Sequence, residues 1–334
     1  MTNTNNVVRA LLVSAVAVLL SACEPPPVDS EQWGYRGTGM ARIENPRTVK
    51  KLLAENELPE PVPEIPLIGQ KSSEAYENVQ VLGNLDVAEF TRVMTAITQW
   101  VSPEQGCVYC HNANNFADDS MYTKVVSRRM FQMTYEINQN WTDHVKNVGV
   151  TCYTCHRGMN VPANIWFEEP PPRTAKNAGW RNGQNGAGHT QVAYSSLPYD
   201  PFTPYLLGAE NIRVQAKTAL PTEPAGSLRS TEGTYGLMMH MSTSLGVNCT
   251  FCHNTRAFGN WEQSTPQRVT AWYGIRMARN LNQEYLDPLQ PVYPEHRLGA
   301  LGDAPKANCS TCHQGLNKPL AGQSMLAQYP ELNK

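Results

Sequence analysis

Charge is scarce in this chain. Lys, Arg, Asp and Glu make up 17% of its 334 residues, and 27 basic against 29 acidic side chains leave a formal net charge of −2. The basic stripe of a nucleic-acid binder is therefore missing. Apolar residues are also few for a chain of this length, at 41%, so something other than side chains is expected to fill part of the interior. Disorder is excluded, because low charge is combined with aromatics that recur along the chain. With 25 Pro and 23 Gly, loops and short helices are predicted rather than a long regular sheet.

Residues 1–22 read as a signal peptide: Arg9, an apolar run from Ala10 to Leu20, then Ser21 and Ala22. The run is too short to cross a bilayer comfortably. Leu20-Ser21-Ala22-Cys23 resembles the lipobox of bacterial lipoproteins, in which Cys23 is acylated and becomes the mature N-terminus. A plain signal peptide with an incidental cysteine is the other reading. Several acyl chains on one residue anchor a protein firmly, whereas one chain holds marginally. The expected location is outside the cytoplasm, tethered by lipid.

Nine cysteines in an exported chain first suggest disulfides. Their spacing points elsewhere. Apart from Cys23, the cysteines fall into four C-x-x-C-H motifs: Cys107/Cys110/His111, Cys152/Cys155/His156, Cys249/Cys252/His253 and Cys309/Cys312/His313. Two thiols at this spacing each add to one vinyl group of a porphyrin, and the histidine directly after them presents its imidazole to the iron. Zinc ribbons and thioredoxin-like sites also use C-x-x-C, but neither requires His at the same offset four times. Four covalent c-type haems are predicted.

The motifs form two related pairs. Cys110-His111-Asn112 with Phe116 matches Cys252-His253-Asn254 with Phe258; His156, Gly158, Asn160 and Pro162 match His313, Gly315, Asn317 and Pro319. Before the first motif, Phe90, Val93, Met94, Ile97 and Trp100 lie at helical spacing, with Asp86 placed to cap the start and Pro103 to stop the end. Tyr235, Met238 and Met241 follow similar spacing before the third motif, and Val126, Met130, Met133 and Ile137 mark a helical face before the second. A lone Met of this kind is usually core packing. Beside an iron that needs a soft second ligand, Met94, Met130 and Met238 are predicted to serve haems 1, 2 and 3.

The counterpart of the Met130 helix begins at Thr265 and Pro266. Aligning Val125, Met133, Asn138, Gln139 and Asp143 with Val269, Met277, Asn282, Gln283 and Asp287 sets Gly274 opposite Met130. The fourth haem therefore lacks a local second ligand. Four histidines lie outside the motifs. His189 follows a Gly- and Asn-rich run, and His240 faces away from Met238 on its helix, which leaves His144 modestly ahead of His296 as the distant ligand. Eight histidines also permit four bis-histidine haems, and an open iron remains a third possibility.

With these residues in place the chain resembles the tetrahaem cytochrome subunit of the purple-bacterial photosynthetic reaction centre, from about Cys23 to Pro319. The resemblance implies that His144 is the second ligand of haem 4. It also implies a subunit on the periplasmic face of the photosynthetic inner membrane, with haems in a row ordered third, fourth, second, first away from the bacteriochlorophyll special pair. Such a subunit re-reduces the photo-oxidised pair and takes electrons from a soluble cytochrome c or a high-potential iron-sulfur protein. It performs no bond-making chemistry and is not an enzyme.

The predicted fold is mainly α with extensive irregular loops, arranged around two pseudo-symmetric haem pairs. Expected segments are the signal peptide (1–22), a lipid-anchored N-terminal arm (23–80), the first haem pair (81–165), a connecting segment (166–225), the second haem pair (226–320) and a C-terminal tail (321–334). Two rivals remain: a periplasmic multihaem reductase with one open haem, favoured by Gly274, and a respiratory electron-relay lipoprotein without a photosynthetic partner.

Overall fold

The computed structural model describes residues 27–34, 37, 39–169, 200–214 and 228–333, with side chains from residue 230 onward in the last span. The signal peptide, Cys23, His189 and most of the connecting segment lie outside the described residues. Among the described residues helices and loops dominate, and the sheet is one antiparallel hairpin, β1 (Asp29–Gln32) with β2 (Ala41–Glu44), paired from Asp29↔Glu44 to Gln32↔Ala41. No helix among the described residues is long and apolar enough to cross a membrane.

The N-terminal arm lies on the body of its own chain. The hairpin is held to the third motif by Asn248, whose Nδ2 donates to the Ala41 carbonyl at 2.9 Å and whose Oδ1 accepts from the Ile43 N–H at 3.0 Å. Trp33 packs on Phe251 with ring centroids 4.7 Å apart. Helix α1 (Pro46–Glu55) starts where Asn45 caps it and Pro46 needs no N–H partner. Residues 57–70, which include Pro59, Pro61, Pro63 and Pro66, form no helix or strand, and short α2 (Ser72–Ala75) follows.

Helix α3 (Val87–Val101) forms where the sequence places it. Asp86 accepts from the Ala88 N–H at 2.8 Å, and Glu89 closes the reciprocal capping box. Val93, Ala96 and Trp100 are fully buried, in a cluster completed by Leu82, Leu85 and Phe131 and by Leu320, Met325, Tyr329 and Leu332 from the far end of the chain. The last residues are therefore core rather than a tail. Trp100 and Tyr329 meet edge to face at 4.7 Å. Arg92 stands 4.2 Å over the Tyr329 ring and pairs at 3.4 Å with Glu331, both side chains almost wholly buried.

Helices α4 (Tyr122–Asn140), α5 (Thr142–Val145) and α6 (Cys152–His156) follow; then come α7 (Leu228–Leu245), α8 (Pro266–Asn280) and α9 (Cys309–His313). Trp166, Phe202, Tyr205, Leu206, Leu237, Ile275 and Ala278 form a second cluster, with Met238 and Met241 packed against it. Tyr235 departs from the face expected of it and is 55% exposed, because the buried side of α7 carries Leu237, His240 and Ser244 instead. Thr265 precedes α8 as expected, but its hydroxyl donates to the Phe251 carbonyl at 2.7 Å rather than capping the helix.

Candidate haem-binding site

A cavity of about 1130 Å³ runs between the helices. That exceeds the upper end of the ~300–1,000 Å³ typical of a single small-molecule pocket. Its wall contains Cys107, Cys110 and His111 of the first motif, Cys152, Cys155 and His156 of the second, Cys252 of the third, and Cys309, Cys312 and His313 of the fourth. Met94, Met130 and His144 line it as well. Cys249, His253 and Met238 do not, and Met241, three residues beyond Met238, does. His296 is exposed on a short 3-10 turn, Glu295–Arg297. His240 is buried away from the cavity, against Phe202 at 4.5 Å and Ser244.

The motifs come in two local geometries. The first and third each contain a 3-10 turn, Gly106–Tyr109 and Cys249–Phe251, and the imidazole Nδ1 donates to a carbonyl five residues on: His111 to Phe116 at 3.1 Å, His253 to Phe258 at 2.9 Å. The phenylalanine ring then stacks on the imidazole at 4.8 and 4.3 Å. The second and fourth motifs are single-turn helices closed by a left-handed residue, Arg157 (φ 51) and Gln314 (φ 49). Here the acceptor is three residues on, His156 to Met159 and His313 to Leu316, each at 2.9 Å. His144 donates likewise to the Thr270 carbonyl at 2.9 Å. In all five imidazoles Nδ1 carries the proton, which leaves the Nε2 lone pair free for a metal.

One helix residue positions each single-turn motif. The Asn138 side chain accepts from the Val150 N–H at 2.8 Å and donates to the Val150 carbonyl at 3.0 Å and the Leu332 carbonyl at 2.9 Å. Its aligned partner Asn282 accepts from the Ala307 N–H at 2.8 Å and donates to the Ala307 carbonyl at 2.9 Å and the Leu206 carbonyl at 2.8 Å. Val150 and Ala307 each stand two residues before the first cysteine of their motif. The sequence alignment marked these asparagines without showing what they do.

The rings of His144 and His313 lie with centroids 6.0 Å apart and planes tilted by 66°. An iron between two imidazoles sets their centroids roughly 6 Å apart, at about 2 Å per metal–nitrogen bond and about 1 Å from nitrogen to ring centre. Burial lowers both imidazoles below the ordinary histidine range, and burial together with the neighbouring His144 pushes His313 down to about 4. Gly274 makes the approach possible. A Cβ there would stand 2.5 Å from His144 Cε1 and 2.8 Å from Nδ1, so the residue that replaces Met130 in the second half is the opening through which His144 reaches the fourth motif.

One feature differs from the expectation of eight thioethers. Cys155 and Cys312 are joined as a disulfide, their Cα atoms 4.5 Å apart, while Cys107, Cys110, Cys152, Cys249, Cys252 and Cys309 are free. The reason is proximity, since α6 and α9 pack together on one wall of the cavity. A sulfur bonded to sulfur is not available to a vinyl carbon, so attachment at these two positions requires both thiols reduced. Burial pushes the Cys110 and Cys252 thiols up to about 11 and those of Cys152 and Cys309 up to about 12. Among the described residues no three His, Cys, Asp or Glu side chains gather to hold a bare metal ion. At the first, second and fourth motifs the donor set fits porphyrin iron: paired thiols, one imidazole after each pair, and the soft or imidazole side chains of Met94, Met130 and His144 in the same cavity.

Comparison with known proteins agrees with this chemistry. The chain is 54% identical to a photosynthetic reaction center cytochrome c subunit of Rubrivivax gelatinosus, covering 95% of this chain and 86% of the relative. It is 50% identical to the protein of that name from Thermochromatium tepidum (97% and 80% covered) and 46% identical to that from Roseobacter denitrificans (97% and 91%). The family described as the photosynthetic reaction centre cytochrome C subunit matches residues 24–333. A chain with imidazoles and thiols so arranged, matched over nearly its whole length, belongs to the reaction-centre cytochrome c subunit family.

Proposed function

We propose that the chain holds four covalent c-type haems, takes electrons from a soluble periplasmic carrier and re-reduces the photo-oxidised bacteriochlorophyll special pair. Electron transfer to the reaction centre follows from the family; the haem count, ligands, donor and anchoring are this proposal. The observation that supports it is the placement of the His144 and His313 rings, centroids 6.0 Å apart and tilted by 66°, with His144 packed against a glycine, beside the motif for which the sequence offers no local second ligand.

Haem iron supplies reversible one-electron chemistry when bound. The protein supplies the rest. Cys107/Cys110, Cys152/Cys155, Cys249/Cys252 and Cys309/Cys312 are the attachment thiols, His111, His156, His253 and His313 the proximal ligands, and Met94, Met130, Met238 and His144 the second ligands of haems 1 to 4. Methionine raises a haem potential relative to a second histidine, so the His144 site is the lowest step by ligand type. The shared motif geometries and the paired Asn138 and Asn282 clamps support two pseudo-symmetric haem pairs, and the adjacent Cys155 and Cys312 support neighbouring attachment of the second and fourth haems. Acylated Cys23 ties the chain to the periplasmic face of the inner membrane.

The reductase reading needs an exchangeable iron, and the Gly274 gap that favoured it is filled by His144. The test is flash excitation of membranes containing the complex. Rapid oxidation of a haem α-band after the flash is expected; a chain with four haem mass increments that stays reduced after the flash sinks the photosynthetic assignment, and a mass without those increments sinks the haem reading.

A further inference from the structure

The first and third motifs share a fold and each has a cation near its histidine, yet only at the first does that cation bond the carbonyl that accepts the histidine proton. Lys124, in the first turn of α4, is 7% exposed. Its ammonium donates to the carbonyls of Phe116 and Ala117 at 2.8 Å and of Asp118 at 3.0 Å, and pairs with Asp119 Oδ1 at 3.0 Å. The Phe116 carbonyl is the same oxygen that accepts the His111 Nδ1 proton. At the third motif the residue aligned with Lys124 is Arg268, and it donates instead to the carbonyls of Asn260 at 2.9 Å and Gly259 at 3.5 Å, beyond the Phe258 acceptor of His253.

An ammonium on a carbonyl oxygen draws electron density from it and leaves it a weaker acceptor for a second donor. His111 shows the longest of the Nδ1 bonds to carbonyls, 3.1 Å against 2.9 Å at His156, His253, His313 and His144. A weaker Nδ1–H bond makes the imidazole a less basic ligand, and ligand basicity favours the oxidised metal. Asp119 opposes this effect. It is held well below the usual carboxylate range by Arg128, with Lys124 and Asn78 adding hydrogen bonds, so it stays ionised beside the ammonium.

We propose that Lys124 is a positioning residue that acts through the Phe116 carbonyl to raise the reduction potential of the first haem, with Asp119 moderating it. The inference rests on His111 being that haem's ligand. It gives two halves of a duplicated chain different potentials at sites with the same ligand types.

The test is a redox titration of the purified, haem-loaded protein, in which a Met94→His variant identifies the first component because only that component moves. Lys124→Gln is expected to lower the first midpoint and leave the other three in place. Lys124→Arg, which keeps the charge, is expected to restore most of the loss. Asp119→Asn is expected to shift the same midpoint upward. A structural role alone would move both Lys124→Gln and Asp119→Asn in one direction, or spread the change over several haems; either result overturns the proposal, as does an unmoved first midpoint. Failure of the underlying ligand reading is seen separately, as a parent protein lacking four haem mass increments or a Met94→His variant that moves no component.

Discussion

The His144 ring occupies the space that a side chain at position 274 would fill, 2.5 Å from where the first carbon would stand. Under the ligand set proposed above, one substitution accounts for the difference between the two halves. Where the first half has Met130 on its own helix, the second half has a glycine, and the imidazole of His144 on α5 occupies the space.

Gly274→Ala is expected to push His144 off the fourth site. Overpacking of this size costs about 1–3 kcal/mol where the neighbour cannot move. Reduced protein should then bind carbon monoxide at one haem of four, while the parent binds none. A variant that stays closed to carbon monoxide and keeps its low-potential component would show that the imidazole does not depend on the glycine.

The two imidazoles also set a pH dependence. Both have folded values below the unfolded one, so above about 6.5 both states are neutral and no stability is at stake. As pH falls below about 6.5 the unfolded chain takes up protons that the folded chain refuses, and stability is lost until His313 itself protonates near about 4. With iron on both Nε2 atoms the folded chain refuses these protons over a wider range, so the loss continues below about 4. Thermal unfolding of haem-withheld and haem-loaded protein should run in parallel from pH 7 to about 4 and diverge below it, and curves that stay parallel there would count against this linkage.

Asn138→Ala and Asn282→Ala each remove three hydrogen bonds of a buried side chain, two of them to a motif anchor. Buried peptide groups left without partners make a loss of about 3 kcal/mol the expected outcome for each. Chemical denaturation of the two variants checks the size. Unequal losses, one negligible and one large, would show that the clamps do not play the same part in both halves.

Much of this arrangement was readable beforehand because covalent haem chemistry demands a rigid spacing. The four motifs, the α3 face with Met94, its Asp86 cap, and the gap at Gly274 follow from local pattern alone. The sequence left His144 only modestly ahead of His296, since nothing local says which distant imidazole a fold brings near. The roles of Asn138 and Asn282 were visible as identities but not as bonds, because a clamp on Val150 or Ala307 depends on a chain reversal that periodicity does not encode. Tyr235 misled for a related reason: residues at i and i+3 drift around a helix, and its exposed position is decided by what packs against Leu237.

The Arg92–Glu331 pair lies between α3 and the final residues. Removing one partner of a buried pair costs about 3–5 kcal/mol, whereas replacing both with apolar side chains of similar volume is often neutral or better. Glu331→Ala is expected to destabilise by that amount, and the Arg92→Met/Glu331→Leu double variant to regain most of it. A double variant no better than the single one in calorimetry would mean that Arg92 acts chiefly through its bonds to the carbonyls of Val62 and Gln328.

Tyr329 and Leu332 close the same apolar cluster as Leu85 and Val93, which imposes an order on assembly. Chains emerge N-terminus first, so the interior around Trp100 stays unsealed until Tyr329 and Leu332 have been made. The first motif precedes them by some two hundred positions, and the door shuts behind it only when that segment arrives.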